Sequence, residues 1–202
     1  MPIRLPSVAA LVLSAAVAVP TAAVAGPLTP GERQRLIAHL QMTEDWLVGE
    51  LEGLSDAQLT FKMTPESWSI QEVVEHLAIA EPQYWQNLQD SMKAPAPAGY
   101  KAEATDAGIL WYGIDRTVRT TTGDARVPHG TYPSAKESLA AFRKLRATML
   151  QTAKASQEDF RGRPLTGGNQ DVYQWFLMIS THSQRHILQI REVKAHKSFP
   201  RR

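Results

Sequence analysis

The chain contains no cysteine. That excludes a disulfide framework, thiolate metal ligands and a cysteine nucleophile. Charge of either sign is also in short supply as an excess: 22 Lys and Arg stand against 20 Asp and Glu, a formal net charge of +2. A broad nucleic-acid surface needs a clustered basic excess. The one basic run, Lys194 to Arg202, reads as a solvated end. Long apolar runs are missing beyond residue 25, so no later segment is suited to span a bilayer. Several catalytic signatures are absent too. There is no GxSxG elbow and no glycine-rich phosphate loop. Ser183 follows His182, so the glutamate of HExxH is missing, and the Glu-x-x-His pairs of carboxylate di-iron bundles do not occur.

Residues 1–25 carry the marks of a secretory signal. Arg4 gives the positive start, Val8 to Val19 the apolar run, and Ala23-Val24-Ala25 the small-residue cleavage site. Pro20 interrupts the run, which is short for a membrane anchor. The expectation is removal before Gly26 and export, to the periplasm or the medium. Residues 26–202 then form one domain with a single sizeable core.

That domain reads as all-α, with four long helices. Thr29-Pro30-Gly31-Glu32, Ser69-Ile70-Gln71-Glu72 and Ser134-Ala135-Lys136-Glu137 are capping-box starts. Each precedes an apolar stripe at helical spacing: Leu36, Leu40, Leu47 and Leu51; Val73, Val74, Leu77, Tyr84 and Leu88; Leu139, Phe142, Leu145 and Leu150. Asn169 is the expected cap of the fourth helix, which covers Val172 to Val193. Four such helices predict a four-helix bundle. Between the second and third lies an unusually long connection, Ala94 to Pro133, with a stiff Pro-rich start and a short helix over Asp106 to Ile114. Connections this long inside a domain are usually functional or mobile.

The fourth helix contains His182-Ser-Gln-Arg-His186. Residues four apart share a helix face. Trp175, Met178, Ile179 and Val193 lie on that face and point the pair inward. His76 lies at the edge of the second helix's stripe. If the two helices are neighbours, His76, His182 and His186 converge inside the bundle. Three imidazoles with a fourth position left to water make a catalytic rather than a closed structural site. An ion there brings the pKa of bound water towards ~7.

The stretch Pro65-Glu-Ser-Trp-Ser-Ile-Gln-Glu-Val-Val-Glu-His-Leu77, followed by the late HxxxH, resembles the damage-inducible DinB-like proteins, the YfiT-type metal-dependent hydrolases among them. The resemblance covers nearly all of residues 26–202. It implies an up-down-down-up bundle, a divalent metal on His76, His182 and His186, and a homodimer as a plausible assembly. It leaves the substrate open, because the family includes thiol-dependent transferases as well as hydrolase-like proteins.

Around these three, each residue has two readings. Glu72 is a cap or an orienting partner of His76, and the cap is preferred. Glu81 is a base at the pocket mouth or a solvated surface residue. Gln189 hydrogen-bonds a ligand or rims the bundle. Trp68, Trp85 and Trp175 are read as packing, and His39, His129 and His196 as surface or loop. The leading expectation is a metal-dependent hydrolase acting on a small molecule. Zinc is the default ion, with nickel, iron and manganese open on ligand type alone. Metal affinity is expected to weaken as pH falls through ~6.5. The rivals are a metal-dependent thiol transferase and a non-catalytic metal- or ligand-binding bundle. A fourth protein ligand would favour the structural ion, and an open cleft would favour catalysis.

Overall fold

The computed structural model describes residues 26–119 and 121–201. The expected signal, residues 1–25, lies outside them. Side-chain caps set the helix starts. α1 (Pro30–Leu51) begins at Thr29, whose hydroxyl accepts from the Glu32 amide while the Glu32 carboxylate accepts from the Thr29 amide. α2 (Asp56–Leu59) is a single turn capped by Ser55, and α3 (Ile70–Lys93) starts at Ser69 with Glu72 closing its box. α4 (Asp106–Ile114) is capped by Thr105 and α5 (Ala135–Ala155) by Ser134.

α6 (Val172–Lys194) starts at the expected residue but with a different cap. Its cap is Asp171, which accepts from the Gln174 amide at 2.6 Å and is answered by Gln174 Oε1. An Asp-x-x-Gln box satisfies the same orphan amides as the Ser/Thr form. Asn169 instead offers its carbonyl to the amides of Glu103 and Ala104, tying the long connection to the start of α6.

Side-chain pairs fix the directions of the four long helices. Arg33 donates to the carbonyls of Ala153 and Ser156, and Arg143 to Glu44, so α1 and α5 are antiparallel. His39 meets Ser180 while Glu50 meets Arg191 and Lys194, so α1 and α6 are parallel. Trp175 donates to the Tyr84 carbonyl while His182 faces His76, so α3 and α6 are antiparallel. The chain therefore runs up, down, down, up, and α3 and α6 are neighbours.

Two apolar clusters fill the bundle. One holds Leu36, Leu40, Trp85, Met149 and Phe176; the other holds Leu47, Val73, Leu77, Phe142 and Ile187. Between them, in sequence along every long helix, sit buried polar residues: Thr43, Glu81, Arg146, Ser180 and Ser183. His39 belongs to this seam. It was expected at the surface, but it is half-buried on α1 with Nδ1 2.7 Å from Ser180 Oγ.

The connection from α3 to α5 is tied down at the start of α6, along α6 and on α3. Tyr100 donates to the Gln170 carbonyl at 3.0 Å. α4 lies on α6 so closely that a Cβ on Gly113 would meet Thr181 Cβ at 3.0 Å and the Thr181 carbonyl oxygen at 3.1 Å. Further on, the Glu75 carboxylate accepts from the amides of His129 and Thr131. Among the described residues, no helix is long and apolar enough to cross a membrane.

Candidate metal centre

His76 projects from the second turn of α3, and His182 and His186 from successive turns of α6. His182 Nε2 is 3.2 Å from Nε2 of His76 and 3.2 Å from Nε2 of His186. One ligand nitrogen from each ring lies within 4.8 Å of the other two. A tetrahedral ion with nitrogen ligands at ~2.0–2.1 Å sets them ~3.4 Å apart. The spacing therefore suits an ion.

Proton bookkeeping points the same way. His76 Nδ1 donates to the Arg126 carbonyl at 2.7 Å, and His186 Nδ1 to Gln189 Oε1 at 2.9 Å. Both rings thus turn a bare Nε2 lone pair towards His182. A single proton on His182 Nε2 can satisfy only one of them. A cation satisfies all three rings at once. His182 Nδ1 is buried without a partner among the described residues, and the Tyr84 ring stands edge-on to the His182 ring at 5.1 Å.

All three rings are held neutral. Burial depresses His76, partly opposed by the Arg126 carbonyl. Burial, reinforced by the neighbouring imidazoles, pushes His182 well below the usual histidine range. For His186 burial and then His76 bring the value to about 3. Neutral imidazole is the ligating form. Proton competition for the metal therefore sets in below the ~6.5 of a free imidazole, lower than ring chemistry alone suggests.

The rings form one wall of a cavity of about 490 Å³, of small-molecule size, between α3, α6 and the long connection. Trp68 covers them, 4.9 Å from His76 and 6.4 Å from His186 between ring centres. It packs on the core as expected and is also a cavity wall. Trp85 and Trp175 are packing residues. Glu72 is the cap of α3 and pairs outward with Lys62 at 2.7 Å. The partner of His76 is instead the Arg126 carbonyl. Gln189 lines the cavity and orients His186.

Glu81 takes neither of its expected places. It is fully buried against Arg146 and Ser183 and is not part of the cavity wall. Burial pushes its carboxyl up, opposed by the Arg146 guanidinium. The reason lies in register: Glu81 is five residues past His76, which turns it away from the histidine and towards α5. His129 is an exposed loop residue, and His196 packs on Phe61 just past α6. Sequence reasoning missed Arg126 and Arg185. Arg126 supplies a carbonyl to the site and a side chain to the cavity. Arg185 sits inside HSQRH and donates to the carbonyls of Tyr112, Asp115 and Val118, fastening the end of α4.

Fold and site together define an up-down-down-up helical bundle with three histidines converging at the wall of a cavity. The chain belongs to the DinB superfamily, whose family profile matches residues 39–190. It is 29% identical over 159 residues to the uncharacterized protein YuaE of Bacillus subtilis (strain 168), covering 75% of this chain and 91% of YuaE. Among solved structures it is similar to Bacillus subtilis YfiT, described as a probable metal-dependent hydrolase with an unusual four-helix bundle topology. The TM-score is 0.55 at 19% identity, over 83% of this chain and 88% of YfiT. At that identity the likeness establishes the fold.

Proposed function

We propose that the chain is an exported metal-dependent hydrolase acting on a small molecule, with His76, His182 and His186 holding a divalent ion. The observation that carries this reading is the convergence of three neutral Nε2 atoms at the wall of a 490 Å³ cavity, with no fourth His, Asp or Glu in the cluster among the described residues. All three rings line the cavity, so an ion held by them would have room there for water or substrate as a fourth ligand, as catalytic sites do. Zinc is the ion this ligand set takes by default; nickel, iron and manganese are compatible with it. When bound, the ion supplies a Lewis acid and brings the pKa of water towards ~7.

The protein's own groups position and polarise. The Arg126 carbonyl and Gln189 hold two rings in the ligating tautomer. Trp68 shields the rings from bulk water on one side. Tyr84 and Tyr112 line the cavity, and burial raises both phenols, so each remains a hydrogen-bond donor to a substrate oxygen at neutral pH.

One observation favours a non-catalytic ion. The carboxylates near the centre are already engaged: Glu81 by Arg146, Glu75 by two backbone amides, Glu192 by Arg116. The test is elemental analysis of protein purified without chelators or nickel resin, with an ester and amide hydrolysis panel run with and without added thiol. The expected result is one metal per chain in wild type, its loss in His182→Ala, and turnover that depends on metal alone. Full metal content in His182→Ala overturns the site, turnover only with thiol replaces hydrolysis by transfer, and inertness of the loaded protein favours the structural ion.

A further inference from the structure

The cavity is lined by four arginines, Arg116, Arg119, Arg126 and Arg185, and by two carboxylates, Glu66 and Glu192. These charges are not all alike. Arg116 is neutralised by a two-point contact with Glu192, Nε at 2.6 Å and Nη2 at 2.9 Å. Arg185 spends its donors on the three carbonyls that close α4. Glu66 is exposed. Arg126 is different. It has no carboxylate partner among the described residues, and its one side-chain hydrogen bond runs from Nε to Thr122 Oγ1 at 3.3 Å.

Its guanidinium lies over the Tyr84 ring, 5.5 Å from the centre. Stacking occupies the face of a guanidinium and leaves its in-plane donors unused. Both terminal nitrogens of Arg126 are therefore unspent beside the cavity, next to the ring of Tyr84 that faces His182. At the rim Arg119 is largely exposed, its nearest carboxylate being Glu192 at 4.0 Å. Three neutral imidazoles bring no negative charge to the centre. A dication there would add two positive charges to the one Arg126 already carries.

We propose that the cavity takes a small anionic substrate, its carboxylate or phosphate group held by the terminal nitrogens of Arg126 while the remainder faces His76, His182 and His186. Paired donors of a guanidinium match the oxygens of either group. Arg119 adds a field at the mouth that draws anions in. The proposal rests on the metal reading for the chemistry at the substrate's other end. The anion contact itself does not need the ion.

The test uses that independence. Inorganic phosphate and acetate are titrated separately into chelator-treated protein at fixed ionic strength, in wild type, Arg126→Met and Arg126→Lys. Wild type is expected to bind at least one of the two, and whichever binds names the group. Arg126→Met is expected to weaken that binding by about tenfold or more, the value of a charge-assisted hydrogen bond, with Arg126→Lys between. Zinc stoichiometry is measured in the same three proteins. It should be unchanged, because the carbonyl that orients His76 belongs to the backbone and survives each substitution. Anion binding equal in wild type and Arg126→Met, binding of neither probe, or loss of zinc from both variants overturns the proposal. Absence of zinc from all three, with anion binding still dependent on Arg126, overturns the metal reading instead and leaves the anion site standing.

Discussion

Arg146 carries a guanidinium into the middle of the bundle with no exposed side-chain surface, and Glu81 meets it there at 3.0 Å. Ser183 bridges the two, donating to Glu81 and accepting from Arg146 Nη2. The pair is incompletely served: Nε and Nη1 of Arg146 are buried without partners among the described residues. Burial opposes the charge on each member, and the charge on the other is what sustains it. Removing one member of a buried pair strands the other and costs ~3–5 kcal/mol, whereas removing both can be nearly neutral. Arg146→Met should accordingly be strongly destabilised in urea titration. Glu81→Gln combined with Arg146→Met should lie closer to wild type than Arg146→Met alone. If the two losses simply add, the pair is not a coupled unit and the polar layer is held by packing.

Helix α4 seals one side of the cavity because Gly113 lets it lie directly on α6. An added Cβ would come within 2.8 Å of Gln184 Oε1, which can swing away, and within 3.1 Å of the Thr181 carbonyl, which cannot. Gly113→Ala should lift α4, cost ~1–3 kcal/mol as overpacking does, and loosen the grip of Arg185 on the carbonyls at the end of α4. Chemical denaturation checks the first effect, and amide exchange of Ile114 to Val118 the second. Unchanged exchange would mean that α4 is anchored elsewhere. The presence of α4 was readable from its sequence, and so were three of the four long-helix caps, because Thr29, Ser69 and Ser134 carry capping chemistry in the side chain. The start of α6 at Val172 was also readable, but its cap was misplaced to Asn169 because the Asp171–Gln174 box uses a less familiar pair for the same task. Two features had no side-chain signature to read. The Arg126 carbonyl that orients His76 is backbone, 50 residues away along the chain. Arg146 sits in Phe142-Arg-Lys-Leu-Arg146, which has the look of a solvated face, and only its meeting with Glu81 across 65 residues makes it interior.

For the molecule as a whole, placing three neutral imidazoles together couples folding to pH. In the unfolded chain each ring titrates near ~6.5. In the folded chain burial depresses all three, His186 to about 3. Between those values the unfolded state binds protons that the folded state refuses, so stability rises with pH across the window and falls on acidification. The slope approaches ~1.4 kcal/mol per pH unit for each ring protonated only on unfolding. Above ~6.5 both states are neutral and the contribution is constant. Carboxylates held low by ion pairs, Glu50 and Asp106 among them, add the same sign of dependence nearer pH 4. Glu81 and Asp171, pushed up by burial, act with the opposite sign, so across pH 5–7 the histidine share is the part that His182→Ala changes. His39 is depressed as well and contributes in that range. Urea titrations of chelator-treated protein at pH 7, 6 and 5 should show stability falling as pH falls, and His182→Ala should flatten the dependence. A metal that binds only the folded site adds RT ln(1 + [L]/Kd), ~2.7 kcal/mol at a hundredfold excess over Kd. As acid protonates the rings that addition shrinks, so the loaded and stripped proteins should converge in stability towards low pH. A dependence between pH 5 and 7 that His182→Ala leaves unchanged in the stripped protein would show that this ring is not held neutral. A gap between loaded and stripped protein that persists down to pH values at which the rings protonate would show that the ion sits elsewhere.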